Sequence, residues 1–223
     1  MTGIDDRVQQ AERLYEQAVF GGDTGALTRA DRCLDAVEAD LALARGRVVH
    51  ARSVARQEES EEELALFERA ERLYAGLGDD RGRGEALFWI AVYHQVVRGD
   101  HDTAQPLLRR SLDLARGAGD TLTASYALRH LGILDHMAGR LPEARAHLEE
   151  STRLRREADF APGVAANLVG LAYIAGQEQR RADAAELLRE ATALAEDTDA
   201  YGVLGWITGA RTDLGLERGS DGV

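Results

Sequence analysis

The sequence predicts an all-α protein, an α-solenoid of antiparallel helical hairpins. Turn-forming segments recur about every 20 residues, at 76–84, 98–100, 117–120, 138–140, 158–163 and 197–202. The segment GRLPEARAHLEES at 139–151 returns forty residues later as QRRADAAELLREA at 179–191. Runs of alternating apolar and polar residues, which would indicate strands, are absent. Two 20-residue segments form one hairpin, and a hairpin that recurs every 40 residues predicts a stacked array.

The elements follow one another along a single predicted domain that spans residues 1–223. In order, helices are expected near 4–20, 24–36 and 37–57, then in the repeats, and finally near 201–217. The chain divides into degenerate N-terminal helices, recognisable repeats, a capping helix and a disordered tail, at 1–58, 59–196, 197–217 and 218–223. The last segment, RGSDGV, has the composition of a frayed terminus.

The residues that recur have the spacing of helix-packing positions. Leu128, Leu131 and Gly132 correspond to Leu168, Leu171 and Ala172, and Ala144, Leu148 and Ser151 correspond to Ala184, Leu188 and Ala191. Each set lies on one helix face, and its small member leaves room for a neighbouring helix. An upstream copy matches only with a slip of one residue and holds Leu87, Ile90, Ala91, Ala104, Leu108 and Ser111.

The run Leu128-x2-Leu131-Gly132, followed by Ala144-x3-Leu148-x2-Ser151, resembles the tetratricopeptide repeat. The resemblance covers about residues 60–196 and extends weakly to about 24. It implies a right-handed superhelix in which the first helix of each hairpin lines a concave surface. The period is 40 residues instead of the usual 34. This long variety is similar to the C-terminal regions of bacterial transcriptional regulators and to scaffolds such as kinesin light chains.

Composition excludes several functional classes. The net charge of −12 argues against a nucleic-acid partner, because a binder of phosphates needs a basic face. The longest apolar run, at 86–93, is too short to span a bilayer. The start MTGIDDR has no apolar signal segment, and the one cysteine, Cys33, suits a reducing compartment. We therefore expect a cytoplasmic protein without membrane contacts.

Catalytic and metal-binding patterns are likewise not found. The chain has no lysine, which excludes both a lysine Schiff base and the lysine of a phosphate-binding loop. The histidines show no metal-ligand spacing; they are at 50, 94, 101, 130, 136 and 147. The interpretation is a chain with no metal and no cofactor that is not an enzyme.

The candidate binding surface is a second face of the first helix in each hairpin. With Leu128 at 0°, the packing residues cluster within about 60° and this face lies between about 80° and 180°. It holds Glu85, Phe88, Val92 and Gln95, then Tyr126, Arg129, Ile133, His136 and Met137, then Val169, Tyr173 and Gln177. By the resemblance, these residues form the concave groove. So much apolar surface is expected to be covered.

The sequence alone leaves several possibilities for what covers the groove. The N-terminal helices, a second copy in a homodimer, or the groove's own side chains could fill it. The leading hypothesis is a regulatory scaffold that binds a peptide or protein segment, with Phe88, Ile133, Met137 and Tyr173 as apolar anchors. Arg129 would then pair with a carboxylate of the partner. The alternatives are a small-molecule sensor or carrier, and an enzyme that uses Glu85, His136 or Arg129.

Overall fold

The predicted all-α class is confirmed by the computed structural model, which describes residues 5–216. Over these residues the chain forms ten α-helices and one π-helix, with no strand. The α-helices are α1 (Asp6–Val19), α2 (Ala26–Arg56), α3 (Glu61–Leu77), α4 (Asp80–Val92), α5 (His101–Gly117), α6 (Thr121–Met137), α7 (Leu141–Glu157), α8 (Ala161–Gln177), α9 (Arg181–Asp197) and α10 (Tyr201–Asp213). The predicted tail at 218–223 lies outside the described residues.

The chain divides into two compact units, Met1–Gly119 and Asp120–Val223. The first contains α1 to α5 and the second contains α6 to α10. Within each unit, helices that follow one another along the chain pack together, as expected for hairpins. The extent of one domain over 1–223 stays a prediction. No helix within residues 5–216 is both long and apolar enough to cross a bilayer.

The predicted division of residues 24–57 into two helices was wrong, because α2 runs unbroken for 31 residues. The segment AVEAD around position 38 contains neither glycine nor proline, so nothing there stops a helix. The α-helix also continues through Gly46, which packs against the Phe67 ring of α3. A Cβ at position 46 would meet that ring at 2.5 Å, so the glycine permits a close approach of two helices. The final helix ends at Asp213, four residues before the predicted end.

The second unit is highly regular. Its first four helices have 17 residues each, and successive helices begin at 121, 141, 161, 181 and 201. The connecting turns each contain one residue in the left-handed region: Gly139, Asp159, Gln179 and Asp199. Such a residue reverses the backbone after a helix and lets the next amides bond to the last carbonyls. The 20-residue period is therefore one helix plus one short turn.

A π-helix accounts for the one-residue slip in the upstream repeat. Tyr93–Val97 form a five-residue π-helix directly after α4. Together, α4 and this segment span 80–97, one residue more than the 17-residue helices. A π turn contains one residue more than an α turn, so it absorbs an insertion without ending the helix. The repeat positions after it return to register.

The small residues of the repeat do bring helices close together. A Cβ at Gly132 would lie 3.0 Å from Leu148 Cγ and 3.2 Å from the Ala144 carbonyl oxygen. Ser151, which is fully buried, donates a hydrogen bond to the Ser125 carbonyl at 2.6 Å. Its counterpart Ser111 donates in the same way to Gly84, at 2.7 Å. The repeat serines thus tie a second helix to the backbone of the first, in each unit.

Candidate functional site

The twelve residues predicted to line a groove lie in both units. Glu85, Phe88, Val92 and Gln95 belong to the first unit. The other eight belong to the second unit: Tyr126, Arg129, Ile133, His136, Met137, Val169, Tyr173 and Gln177. That the two sets form one surface stays a prediction. Each set is therefore described within its own unit.

Four of the twelve are buried in the fold, namely Phe88, Val92, Gln95 and Val169. In the first unit, Phe88 packs edge-to-face on Trp89, with ring centroids 5.2 Å apart. Glu85 is partly exposed and pairs with Arg47 of α2 at 3.0 Å. A buried side chain meets a partner only if its surroundings open. The four buried side chains therefore contribute to packing in this structure, and their role in binding stays a prediction.

In the second unit, Arg129 links three alternate helices. Its Nη1 donates to the Ala166 carbonyl oxygen at 2.7 Å and to Asn167 Oδ1 at 3.1 Å, both on α8. Its guanidinium carbon lies 5.9 Å from the centre of the Trp206 ring on α10. We call the surface defined by Arg129, Tyr173, Trp206 and Asp213 the α6–α8–α10 face.

Arg155 of α7 lies behind this face and is only 2% exposed. Its Nη1 donates to the Gly163 carbonyl at 2.7 Å and to Asn167 Oδ1 at 3.0 Å. Its guanidinium also lies over the Tyr126 ring at 5.0 Å and near the Phe160 ring at 5.8 Å. Asn167 Oδ1 therefore accepts from both arginines, while Asn167 Nδ2 donates to Ser151 Oγ at 2.8 Å.

The two guanidinium groups have acceptors but no counter-ion. Among residues 5–216, neither Arg129 nor Arg155 forms an ion pair with a carboxylate. Burial lowers the pKa of Arg129 to about 10. Burial, reinforced by repulsion from Arg129, lowers the pKa of Arg155 to about 9. Both shifts record the cost of holding positive charge in a poorly hydrated place. An anion placed beside Arg129 would relieve part of that cost.

The remaining residues of this unit surround the arginines with mixed polarity. Met137 and Trp206 are 62% and 55% exposed, so both offer open apolar surface. Tyr173 donates its hydroxyl to Asp213 Oδ2 at 2.7 Å, and desolvation followed by that bond raises the pKa of Tyr173 to about 12. His136 Nε2 is buried without a hydrogen-bond partner. Over the described part of the chain, no cluster of three or more metal-ligating side chains occurs.

The sequence interpretation missed three residues of this arrangement: Arg155, Asn167 and Trp206. Asn167 had a visible signal, since it is the one amide side chain inside the otherwise apolar stretch of α8. A buried amide needs partners, and both arginines provide them. Trp206 was assigned to a capping helix only. Arg155 gave no signal, because the same stretch holds three further arginines, at 153, 156 and 145.

One protein family and one known protein are similar to this chain. Residues 82–157 match the family model described as tetratricopeptide repeat, which confirms the recognition made from the motif. A stretch of 136 residues is 32% identical to the regulatory protein AfsR of Streptomyces griseus. That alignment covers 61% of this chain but 14% of AfsR, so the chain spans about one seventh of the length of that relative.

Proposed function

We propose that this tetratricopeptide-repeat chain is a non-enzymatic protein-binding module of a bacterial regulatory system. Its partner is a peptide or protein segment that lies across the α6–α8–α10 face. The family and the regulatory relative support the general class. A cytoplasmic location belongs to the same proposal, and the lone Cys33 suits it.

The observation that carries the proposal is the pair of arginines without a counter-ion. Nη1 of Arg129 is engaged by α8, and its other nitrogens make no described hydrogen bond. A carboxylate of the partner would accept from them in a charge-assisted bond. Arg155 would contribute through the shared Asn167, since it holds the amide oxygen toward Arg129.

Apolar contacts would come from the open side chains next to the arginine. Trp206 offers a broad ring that already lies near the Arg129 guanidinium. Met137 adds flexible apolar surface, and Ile133 and Tyr173 are partly exposed beside it. Aromatic and arginine side chains that lie close together are typical of the residues that dominate binding energy at interfaces.

The test uses Trp206 as its own reporter. In a Trp89→Phe background, Trp206 is the only tryptophan of the chain. Binding of an acidic peptide from a display library should shift its emission to the blue and saturate with concentration. Arg129→Gln should weaken that peptide's affinity at least tenfold, which is about 1.4 kcal/mol. Arg153→Gln is the matched control, because Arg153 is exposed on α7 and pairs with Glu150.

Two results would contradict the proposal. One is a library in which no sequence binds the wild-type chain. The other is a selected peptide whose affinity is unchanged by Arg129→Gln and by Tyr173→Ala. Circular dichroism of each variant establishes that helicity is retained, so that lost binding reflects the face and not unfolding.

A second candidate function is favoured by the same arginine pair. A sensor or carrier of a small anionic molecule would also supply the missing counter-ion. Thermal-shift measurements with citrate and with inorganic phosphate distinguish the two. A small anion would raise the melting temperature of the wild-type chain and leave the Arg129→Gln variant unshifted. Peptide binding without any such shift favours the protein-binding module.

A further inference from the structure

Helix α2 carries an exposed apolar stripe with a seven-residue period. Leu27, Leu34, Leu41 and Val48 are 50%, 45%, 56% and 51% exposed. Residues seven apart share a face of a helix, with a drift of about 20° per step. The stripe runs for about 31 Å at 1.5 Å per residue. Three residues after Leu34, Leu41 and Val48 stand Val37, Ala44 and Ala51, which gives the pattern of a helix-pairing seam, whereas Ala30 is buried against α1.

The N-terminal half of this seam forms one side of a groove. Helix α1 packs against α2 there and leaves an open groove of about 540 Å³ between them. Its apolar lining is Val8, Ala11, Tyr15, Phe20, Leu27 and Leu34. Tyr15 and Phe20 are 57% and 83% exposed, which is unusual for aromatic side chains beside an apolar groove. Acidic residues stand around it, namely Glu12, Glu16 and Asp31.

The C-terminal half of the same seam carries mainly the opposite charge. Leu41, Ala44 and Val48 line an open groove there, together with Arg45, Arg52 and the acidic Glu62 of α3. Over residues 5–216, neither of these arginines forms an ion pair, and neither do Glu12, Glu16 and Asp31 at the groove. One helix therefore presents an acidic apolar surface at one end and a mainly basic apolar surface at the other.

We propose that the chain forms a two-fold symmetric dimer in which the α2 helices pair in antiparallel orientation. The basic half of the seam of each copy packs on the acidic α1–α2 groove of the other, so the interface is self-complementary in charge, as an isologous dimer requires. Leu27 of one copy then faces Val48 of the other, and Leu34 faces Leu41. Alanines along the seam let the two helices approach closely.

The charges select this register. In it, Asp31 of one copy faces Arg45 of the other, and this pair occurs twice. The symmetry axis passes beside Glu38, where two like charges would meet. Glu38 is already neutralised within its own chain by Arg69 at 2.8 Å. A parallel pairing would instead oppose acidic to acidic and basic to basic halves, which costs free energy.

The first experiment measures mass by sedimentation velocity over a micromolar concentration series. The full chain should approach twice its 24.3 kDa mass. Leu41→Glu should weaken association at least tenfold. Leu122→Glu, a change at an exposed leucine of the second unit, should leave association unchanged. A wild-type chain that stays monomeric, or a Leu41→Glu variant that dimerises normally, would overturn the proposal.

Exchanging the charges of two residues tests whether a second copy of the chain occupies the groove. Arg45→Glu and Asp31→Arg should each weaken the dimer, and the double variant should restore it. Fourteen residues, about 21 Å of helix, separate these two positions, so they cannot pair within one chain. Restoration therefore requires the antiparallel contact between copies. A double variant that associates no better than either single one would rule that contact out.

Cross-linking tests the orientation in a Cys33→Ser background. Val37→Cys lies beside the axis, so mild oxidation should link two copies through a disulfide. Ala51→Cys lies far from the axis, and its two copies should stay unlinked because a disulfide needs Cα atoms within about 7 Å. Efficient linkage at position 51 would indicate parallel helices and contradict the proposal.

Discussion

The two units treat buried polar groups differently. In the first, neighbouring helices are joined through carboxylates. Tyr74 donates to Asp40 at 2.7 Å, Tyr93 donates to Glu59 at 2.6 Å, and His50 Nδ1 lies 2.8 Å from Glu63 Oε1. The second unit also has such a link, since His147 Nδ1 lies 2.8 Å from Asp135 Oδ2, but it adds two arginines that bridge α6, α7 and α8 through carbonyl and amide oxygens.

This difference distinguishes polar groups that serve the fold from charged groups that could serve binding. In the first unit, the two carboxylates bound by tyrosines also pair with arginines, Asp40 with Arg7 and Glu59 with Arg98, so their charges are compensated within the unit. Two arginines that share one amide oxygen leave positive charge without compensation. Such a charge destabilises the fold, so we interpret it as kept for an external anion. The first unit instead leaves apolar surface uncovered, on α1 and α2.

The largest expected effect comes from removing the buried arginine of the second unit. Arg155→Ala should lower the free energy of unfolding by about 3–5 kcal/mol, because it leaves a cavity and removes the hydrogen bonds to the Gly163 carbonyl and Asn167 Oδ1. Arg153→Ala, two residues away on the exposed side, should cost less than about 1 kcal/mol. Chemical denaturation measures both.

A second substitution at this position, Arg155→Met, tests whether the charge stabilises the fold. It keeps an apolar stem and removes the guanidinium, with both its charge and its hydrogen bonds. If its stability equals or exceeds that of the wild type, the guanidinium is retained for binding and not for stability. A loss as large as that of Arg155→Ala would show instead that the charge is structural, as in the first unit.

An intermediate effect is expected at the tyrosine–carboxylate pair of the first unit. Tyr93→Phe should cost about 1 kcal/mol, the typical value of one hydrogen bond, because Glu59 keeps its contact with Arg98. Tyr201→Phe is the control, since Tyr201 is 73% exposed and bonds only to nearby Asp199. Denaturation in parallel with the arginine variants gives both values.

The same pair predicts a pH dependence. Desolvation, then the bond to Glu59, raises the pKa of Tyr93 to about 12 from its unfolded value of 10.0. Between these values the unfolded chain has released the proton and the folded chain keeps it, so stability falls as pH rises. Tyr93→Phe should make that decline shallower. An unchanged slope would mean that Tyr93 ionises normally in the fold.

The smallest effect concerns the turns. In the first unit, Gly78 and Gly99 supply left-handed residues and Gln57 is a non-glycine exception, whereas in the second Asp159, Gln179 and Asp199 outnumber Gly139 in the turns between helices. Gln179→Gly should raise the free energy of unfolding by about 0.5–1 kcal/mol, since glycine adopts this conformation without strain. Gly139→Ala should lower it by a similar amount. A destabilised Gln179→Gly variant would show that its side chain contributes a contact there.

Sequence patterns predicted the features that depend on local spacing. The 20-residue period and the close approach at Gly132 follow from residue size and helix geometry, so both could be predicted from the sequence. The sequence did not reveal that α2 is unbroken, because the two halves of α2 contact different neighbouring helices and bury different sides of the helix. The shared role of Asn167 depends on three helices meeting, which no spacing along one helix reveals.

The exposure of the predicted groove residues could not be deduced from the sequence for a related reason. Helical angle separates a second face from the packing face, but it does not tell whether another helix covers it. Val92 is buried, whereas Ile133, at the equivalent position of the next hairpin, is partly exposed. Trp206 lay outside the repeat and was not considered, although it contacts Arg129.

The π-helix at Tyr93–Val97 bears on how arrays of this kind change in length. A single inserted residue would normally rotate every later residue by about 100° and move the packing face away from its neighbour. One widened turn absorbs that rotation locally, and the hairpins on both sides keep their contacts. Genes that encode such arrays can therefore gain or lose single codons within a helix, and not only whole duplicated hairpins.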